Sequence, residues 1–201
     1  MFQSIRSVLA IPIAYQLWWH VVGGVAQAKV LVNEYAQPSV GARILEIGCG
    51  PGSIVRYLPP SEYLGFDLSP RYIELARRRF PKAHFVCERV SQFSLAKEQS
   101  FDVALALGIT HHLDDAEARQ LFQIAYDALK PGGKLVTSDG VWTDDQSPVA
   151  RWLLARDRGE YIRWEGEYVE IASQVFSNIR PSVRHDLLRI PYTHLILECI
   201  R

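Results

Sequence analysis

The sequence predicts an α/β fold: a seven-stranded, mostly parallel sheet with helices on both faces and a C-terminal antiparallel hairpin. Three observations carry this. After residue 40, short apolar runs alternate with helical patterns, as parallel strands joined by helical crossovers do. The run "FDVALALG", 101–108, is apolar almost throughout, as a strand buried on both faces must be. The last two apolar runs are separated by Pro191-Tyr192, close enough for a hairpin.

The elements follow in order. The first strand is Arg43 to Ile47, and a helix is expected over Gly52 to Leu58, stopped by Pro59-Pro60. The second strand, Tyr63 to Phe66, ends at Asp67. Ser69 then caps a helix with Pro70 in its first position; Tyr72, Ile73, Leu75, Ala76 and Phe80 form its apolar face, and Pro81 ends it. "AHFVC" is the third strand and 101–108 the fourth. Asp114 or Asp115 caps the next helix, with Leu121, Phe122, Ile124, Ala125, Ala128 and Leu129 facing the core. "KPGGKLVTSD" turns into a fifth strand ending near Asp139. Helices are expected from Ser147-Pro148 through Arg156 and from Glu167 to Phe176. "VRHDLLRI" and "THLILECI" form the hairpin.

The totals narrow the class. A chain of 201 residues is one ordinary domain with room for a sizeable core. Lys plus Arg is 22 and Asp plus Glu is 22, so no overall charge points to a nucleic-acid partner, and none is expected. Cys49, Cys87 and Cys199 are far apart, with no CxxC pair, which suggests neither a metal site nor a disulfide framework and fits a reducing, cytoplasmic setting. The segment "SVLAIPIAYQLWWHVVGGVAQA" after Arg6 imitates a signal peptide, but Pro12, Gln16 and His20 interrupt it. It also lacks the roughly 20 clean apolar residues of a membrane span.

The stretch "RILEIGCGPGSIVRYL" raises the functional question, because it sets Glu46 in an apolar strand and follows it with Gly48, Gly50 and Gly52. A strand avoids glycine and a core avoids a lone charge. The loop lies at the carboxyl end of a parallel strand, where such sheets bind ligands, and glycine lets backbone approach one closely. A dinucleotide site would want G-x-G-x-x-G; here the spacing is G-x-G-x-G, with Ser53 in the third glycine's place. Glu46 would repel phosphates but suits a cationic ligand.

"EIGCGPG" resembles the first motif of the class I S-adenosylmethionine-dependent methyltransferases, and the likeness continues in order. "YLGFDLSPRYIELARRRF" resembles their second strand, ribose-binding acid and following helix; "FDVALALGITHHLDD" their fourth strand and its loop; "ALKPGGKLVTSD" their turn into strand five. The resemblance covers about residues 40–140 well, and the last 35 by strand pattern. It implies a Rossmann-like sheet, S-adenosyl-L-methionine as cofactor and a small-molecule methyl acceptor. Residues 1–39 then read as an N-terminal helical lid segment and 40–201 as the methyltransferase domain, with a helical insert at about 142–178.

The resemblance also implies roles. Glu46 orients the methionine ammonium, with Gly48, Cys49, Gly50 and Gly52 in close approach. Asp67 accepts both ribose hydroxyls, and Leu68 packs on the adenine face. After strand three the chain departs from the pattern with Cys87-Glu88-Arg89-Val90, so the adenine amino group falls to Glu88 or to backbone around Val90. Leu107 and Gly108 underlie the methionine part, and His112 packs on the cofactor. His111 is the candidate general base, with Asp139 fixing its tautomer. His111 and His112 together are not read as metal ligands, because neighbours point apart and no third ligand is spaced nearby.

Tyr15, Trp18, Trp19, Trp142, Trp152 and Tyr161 are candidate aromatic lids, with core packing as the plainer reading. Arg151, Arg156, Arg158 and Arg163 suit an anionic substrate, but Asp157, Glu160 and Glu165 among them suggest a solvated helix face. Besides a small-molecule methyltransferase, a cofactor-sensing protein of the same fold without transfer remains open. An RNA methyltransferase would want an Asn-Pro-Pro-Tyr-type motif where this chain has "GITHH". Oligomeric state and the methylated atom are not legible.

Overall fold

The computed structural model describes residues 20–95 and 100–201, so Tyr15, Trp18 and Trp19 lie outside the described residues. Helix α1 (Gly24–Val30) runs into a π-helical turn, Leu31–Ala36. Then come β1 (Arg43–Ile47), β2 (Glu62–Asp67), α2 (Pro70–Arg79), β3 (His84–Cys87), β4 (Phe101–Leu107), α3 (Asp115–Ala128) and β5 (Leu129–Trp142). Helix α4 (Pro148–Leu154), the two-residue β6 (Arg163–Trp164) and α5 (Glu165–Ser173) lead to β7 (Asn178–Arg184) and β8 (His194–Ile200).

The strands lie in the order β3-β2-β1-β4-β5-β8-β7, with β6 beside the end of β5 as an eighth. β1 to β5 are parallel; β8 runs antiparallel to both β5 and β7. The sheet is therefore the Rossmann-like one expected, with its C-terminal hairpin. Helices cover both faces. On one, Leu121, Phe122 and Ala125 of α3 pack with Leu45, Ile47 and Phe66. On the other, Ala28 of α1 and Ile73 and Ala76 of α2 pack with Ile44, Tyr63 and Val136. Full burial of such an aliphatic or aromatic side chain contributes about 1.5–3 kcal/mol. The caps are where the sequence puts them: Ser69 accepts from Tyr72 N–H, Asp114 from Glu117 N–H and Ser147 from Ala150 N–H.

Four elements differ from expectation. The helix expected over 52–58 is a set of turns ending in one 3₁₀ turn, Val55–Tyr57. Gly50 and Gly52 have φ of +51° and +70°, which an α-helix cannot carry, and Pro59-Pro60 follow too soon for a helix to lengthen. β5 continues three residues past Asp139 to Trp142, because β6 and β8 offer it partners there. The expected 167–176 helix is α5, shifted earlier: the Glu167 carboxylate reaches back to the Trp164 N–H, so Glu167 lies inside the first turn. The first hairpin strand is 178–184 rather than 183–190, with Arg184 paired to His194. Leu187 turns into the α1 and α2 side of the core instead, and Pro181 is tolerated because β7 is an edge strand.

Candidate active site

The strand order reverses between β1 and β4, and the crevice outside their carboxyl ends is where open α/β sheets hold ligands. Both strands end on a glycine at φ +71°, Gly48 and Gly108.

The three loop glycines serve different ends. A Cβ on Gly48 would stand 2.3 Å from Ile109 Cδ1, so this glycine admits the loop after β4 rather than a ligand. A Cβ on Gly52 would press on Phe80 and Phe85 at 3.2 Å, so this one seats the loop against α2 and β3. A Cβ on Gly50 would meet nothing within 4 Å among the described residues, and of the three only Gly50 faces open space there. Its N–H donates to Asp67 Oδ2 at 2.9 Å, while Asp67 Oδ1 accepts from Ser69 N–H at 2.8 Å. Burial holds the Asp67 carboxyl above its ordinary value, and these two N–H donors offset only part of that rise. Each oxygen keeps a further acceptor position.

Glu46 and Cys49 are buried beside this loop. The Tyr63 hydroxyl donates to Glu46 Oε2. Burial pushes the Glu46 carboxyl up to about 8; the Tyr63 hydrogen bond acts downward and the Asp67 charge upward. Burial also holds Cys49 as a thiol. Leu68 is 63% exposed at the mouth, an apolar surface beside Asp67. Glu88 is half-buried and its N–H bonds to the Asp67 carbonyl. Val90 has its side chain committed to the α3 side of the core, so only its backbone is left for a ligand. Leu107 is half-buried under the crevice, and Gly108 N–H is taken by the Ser138 carbonyl.

The loop after β4 holds His111. Its Nδ1 is 2.8 Å from Asp139 Oδ1, which also accepts from the His111 N–H at 3.2 Å. Its Nε2 is 3.4 Å from Asp157 Oδ1. Burial opposes charge on the ring, but hydrogen bonds to Asp139 and then Asp157 outweigh it and push His111 up to about 9. Asp139 and Asp157 on its two nitrogens thus favour the protonated ring. Asp139 Oδ2 is buried without a hydrogen-bond partner among the described residues. His111 and His112 do not point apart as expected: one turn of 3₁₀ helix, Thr110–His112, brings their rings to 4.2 Å.

Sequence reasoning missed four residues here. Asp157 reaches His111 because the turn after α4 folds back over the ring, and Gly159 makes the fit possible, since a Cβ there would stand 2.0 Å from His111 Cδ2. Tyr192 donates to Asp157 Oδ2 at 3.0 Å, and Tyr63 holds Glu46. Gly159 alone left a trace, as the glycine of an Asp-Arg-Gly turn. Arg163, expected on a solvated face or at an anionic substrate, is buried instead. It bonds the carbonyls of Thr110, Leu113 and Tyr161 and the Asp115 carboxylate, which fixes the loop that carries His111. Arg151 lies over Trp142 and Trp164, and Arg156 over Trp152. Trp152 and Tyr161 are 49% and 41% exposed, so neither is a core residue.

The residues suit a ligand with hydroxyls, an apolar plane and a cation. Gly50 leaves room, Asp67 offers acceptors, Leu68 offers a surface and Glu46 a carboxylate. They do not suit a pyrophosphate. No α-helix N-terminus follows the loop, and the one cation that reaches it, Arg79, is spent on the Pro51 carbonyl.

Residues 44–133 match the family description of a methyltransferase domain. An O-methyltransferase of Penicillium expansum is 30% identical over 168 residues, covering 73% of this chain and 59% of its own. A phosphoethanolamine N-methyltransferase of Haemonchus contortus, solved with phosphomonomethylethanolamine and S-adenosylhomocysteine, superposes with a TM-score of 0.78 at 17% identity, over 97% of this chain and 58% of that one. A TehB-like S-adenosylmethionine-dependent methyltransferase of Corynebacterium glutamicum superposes at 0.66 with 21% identity, over 96% and 99%. The chain spans between 23% and 59% of the length of such curated relatives.

Proposed function

The chain belongs to the class I S-adenosylmethionine-dependent methyltransferases, and from that premise we propose that it transfers a methyl group from S-adenosyl-L-methionine to a small-molecule acceptor. One observation carries the reading. At the carboxyl ends of β1, β4 and β5, Gly50 leaves open space and donates to Asp67, Glu46 is buried on β1 just before that loop, and His111 after β4 pairs with Asp139 of β5. When bound, the cofactor supplies an electrophilic methyl on a sulfonium, so the protein has mainly to align the partners and exclude water.

Each residue then has a task. Asp67 accepts from the ribose hydroxyls while holding the loop through Gly50 N–H. Glu46 receives the ammonium. Leu68 covers the adenine, and Glu88 or the backbone at Val90 reads its amino group. Leu107, Gly108 and His112 bound the methionine part. His111 takes a proton from an acceptor hydroxyl or amine once its own Nε2 proton has left, and Asp139 holds the ring by Nδ1. Oxygen, nitrogen and carbon are all candidate targets, since similar proteins include an O-, an N- and a C-methyltransferase.

We further propose that residues 1–39 act as a lid and that the protein works in the cytoplasm without a nucleic-acid partner. Supporting the lid, Gln27 of α1 lies 3.0 Å from His194 Nε2 at the start of β8, on the His111 side of the sheet. Three free cysteines, one of them exposed, suit a reducing compartment. No described helix is long and apolar enough to cross a membrane.

Two measurements test the function. Titration with S-adenosylhomocysteine should show saturable binding, and labelled methyl transfer to a metabolite panel should identify an acceptor. Binding with no transfer to any acceptor would favour the cofactor-sensing alternative; no binding would overturn both.

A further inference from the structure

Glu46 is buried with 4% of its surface exposed, and among the described residues no positive charge acts on it. On β4 its neighbour is Leu105 and on β2 it is Gly65. The polar groups around it are the Tyr63 hydroxyl, the Cys49 thiol and, at the end of β2, the Asp67 carboxylate. A buried carboxyl among neutral and acidic neighbours favours its protonated form.

The path of Tyr63 to Glu46 runs over a gap. Tyr63 and Gly65 are two apart on β2 and so share a face. A Cβ on Gly65 would stand 2.7 Å from the Tyr63 hydroxyl and 2.8 Å from Cys49 Cβ. The missing side chain is the space through which the hydroxyl reaches across to β1. Neither burial nor sheet propensity asks for glycine in the middle of a strand. The hydrogen bond to Glu46 accounts for this one.

We propose that Tyr63, seated in the gap left by Gly65, is a positioning residue for Glu46, and that capture of the cofactor's ammonium drives a proton from Glu46 into solvent. This rests on the cofactor reading above. In the free protein near neutral pH the Glu46 carboxyl holds its proton, in keeping with the upward push of burial. The ligand's α-amino group, on a free amino acid beside its own carboxylate, is also protonated near neutral pH. The bound pair is one carboxylate and one ammonium, so one proton of the two goes to buffer. Once pH exceeds the amine's own pKa the free amine has lost its proton, and binding takes one up. Affinity therefore peaks near the point where the two effects cross. The Tyr63 hydroxyl favours the ionised carboxylate, so its loss moves the acid limb to higher pH.

The test is calorimetric titration of the full chain with S-adenosylhomocysteine, which carries the ammonium and no sulfonium. It is run from pH 6 to 9 in phosphate and in Tris, whose ionisation enthalpies differ. The wild type should release close to one proton at the acid end, with affinity rising about tenfold per pH unit there. Tyr63→Phe should bind about tenfold more weakly at pH 7 and approach wild type at the alkaline end, its acid limb displaced. Glu46→Gln should release no proton. Heats independent of buffer in the wild type would overturn the inference, and that measurement stands even if Tyr63→Phe does not fold. So would a folded Tyr63→Phe weakened equally at every pH, as a merely structural role requires. Absence of binding at every pH would overturn the cofactor reading and this inference with it.

Discussion

Nε2 of His111 lies 3.4 Å from Oδ1 of Asp157, so the ring nitrogen that Asp139 leaves over already faces a carboxylate. A base that must receive a proton at that nitrogen is occupied until Asp157 yields it or the proton leaves. Asp157 is itself held by the Tyr192 hydroxyl and the Gly159 N–H, and its carboxyl lies well below the usual range: burial raises it, and the bonds to His111 outweigh burial.

The first prediction concerns rate and pH. His111 titrates near 9, so turnover of the wild type should climb through neutral pH and level off above that value. Asp157→Asn removes one of the two carboxylates that keep the ring charged, so its rising limb should move to lower pH. His111→Ala should lose the limb and about 10²- to 10⁴-fold in kcat. The profile of kcat against pH for the three proteins decides this. A limb unmoved in Asp157→Asn, or a His111→Ala rate within about threefold of wild type, would leave alignment alone as the mechanism.

The second concerns stability and pH. The folded-state pKa of His111 is raised, so its contribution is fully present below its unfolded value of about 6.5 and is lost as pH rises through about 9. Thermal unfolding should show wild type losing Tm between those values relative to His111→Gln, whose curve should lack that component. Parallel Tm curves across the window would contradict the buried ion pairs.

The third concerns the cofactor. Asp67→Ala removes an acceptor for the ligand and the anchor of Gly50 N–H, and should weaken S-adenosylhomocysteine binding by about 1.5–3 kcal/mol. Gly50→Val places a β-branched side chain at φ +51° on the face that opens into the crevice, and should abolish binding while leaving the circular-dichroism spectrum native. Unchanged dissociation constants in titration would count against both assignments.

The fourth concerns Arg163, whose guanidinium group spends its donors on three carbonyls and Asp115. Arg163→Ala leaves buried carbonyls unpaired in the loop that carries His111, and should cost about 2–4 kcal/mol of unfolding free energy. Lysine cannot fork to the same acceptors, so Arg163→Lys should recover little. Chemical denaturation measures both, and a loss under about 0.5 kcal/mol would place Arg163 with ordinary surface residues.

What the sequence by itself determined is local. The β1 strand and its glycines, the Ser69, Asp114 and Ser147 caps and the Asp67 strand end all follow from residue types at short spacing, while His111 and Asp139 are picked out by the family resemblance. Backbone preference and capping act within a few residues, so such features are legible one segment at a time. Tertiary structure alone decided which partner each site residue has. Gly48, Gly50 and Gly52 look alike in the sequence, yet one admits Ile109, one faces the crevice and one seats Phe80 and Phe85. Asp157 meets His111 only because the chain after α4 folds back, and Tyr63 meets Glu46 only because the β1–β2 register sets Gly65 opposite it. Both contacts depend on how distant segments pack, and packing is set by the volume and register of the whole core rather than by spacing along the chain.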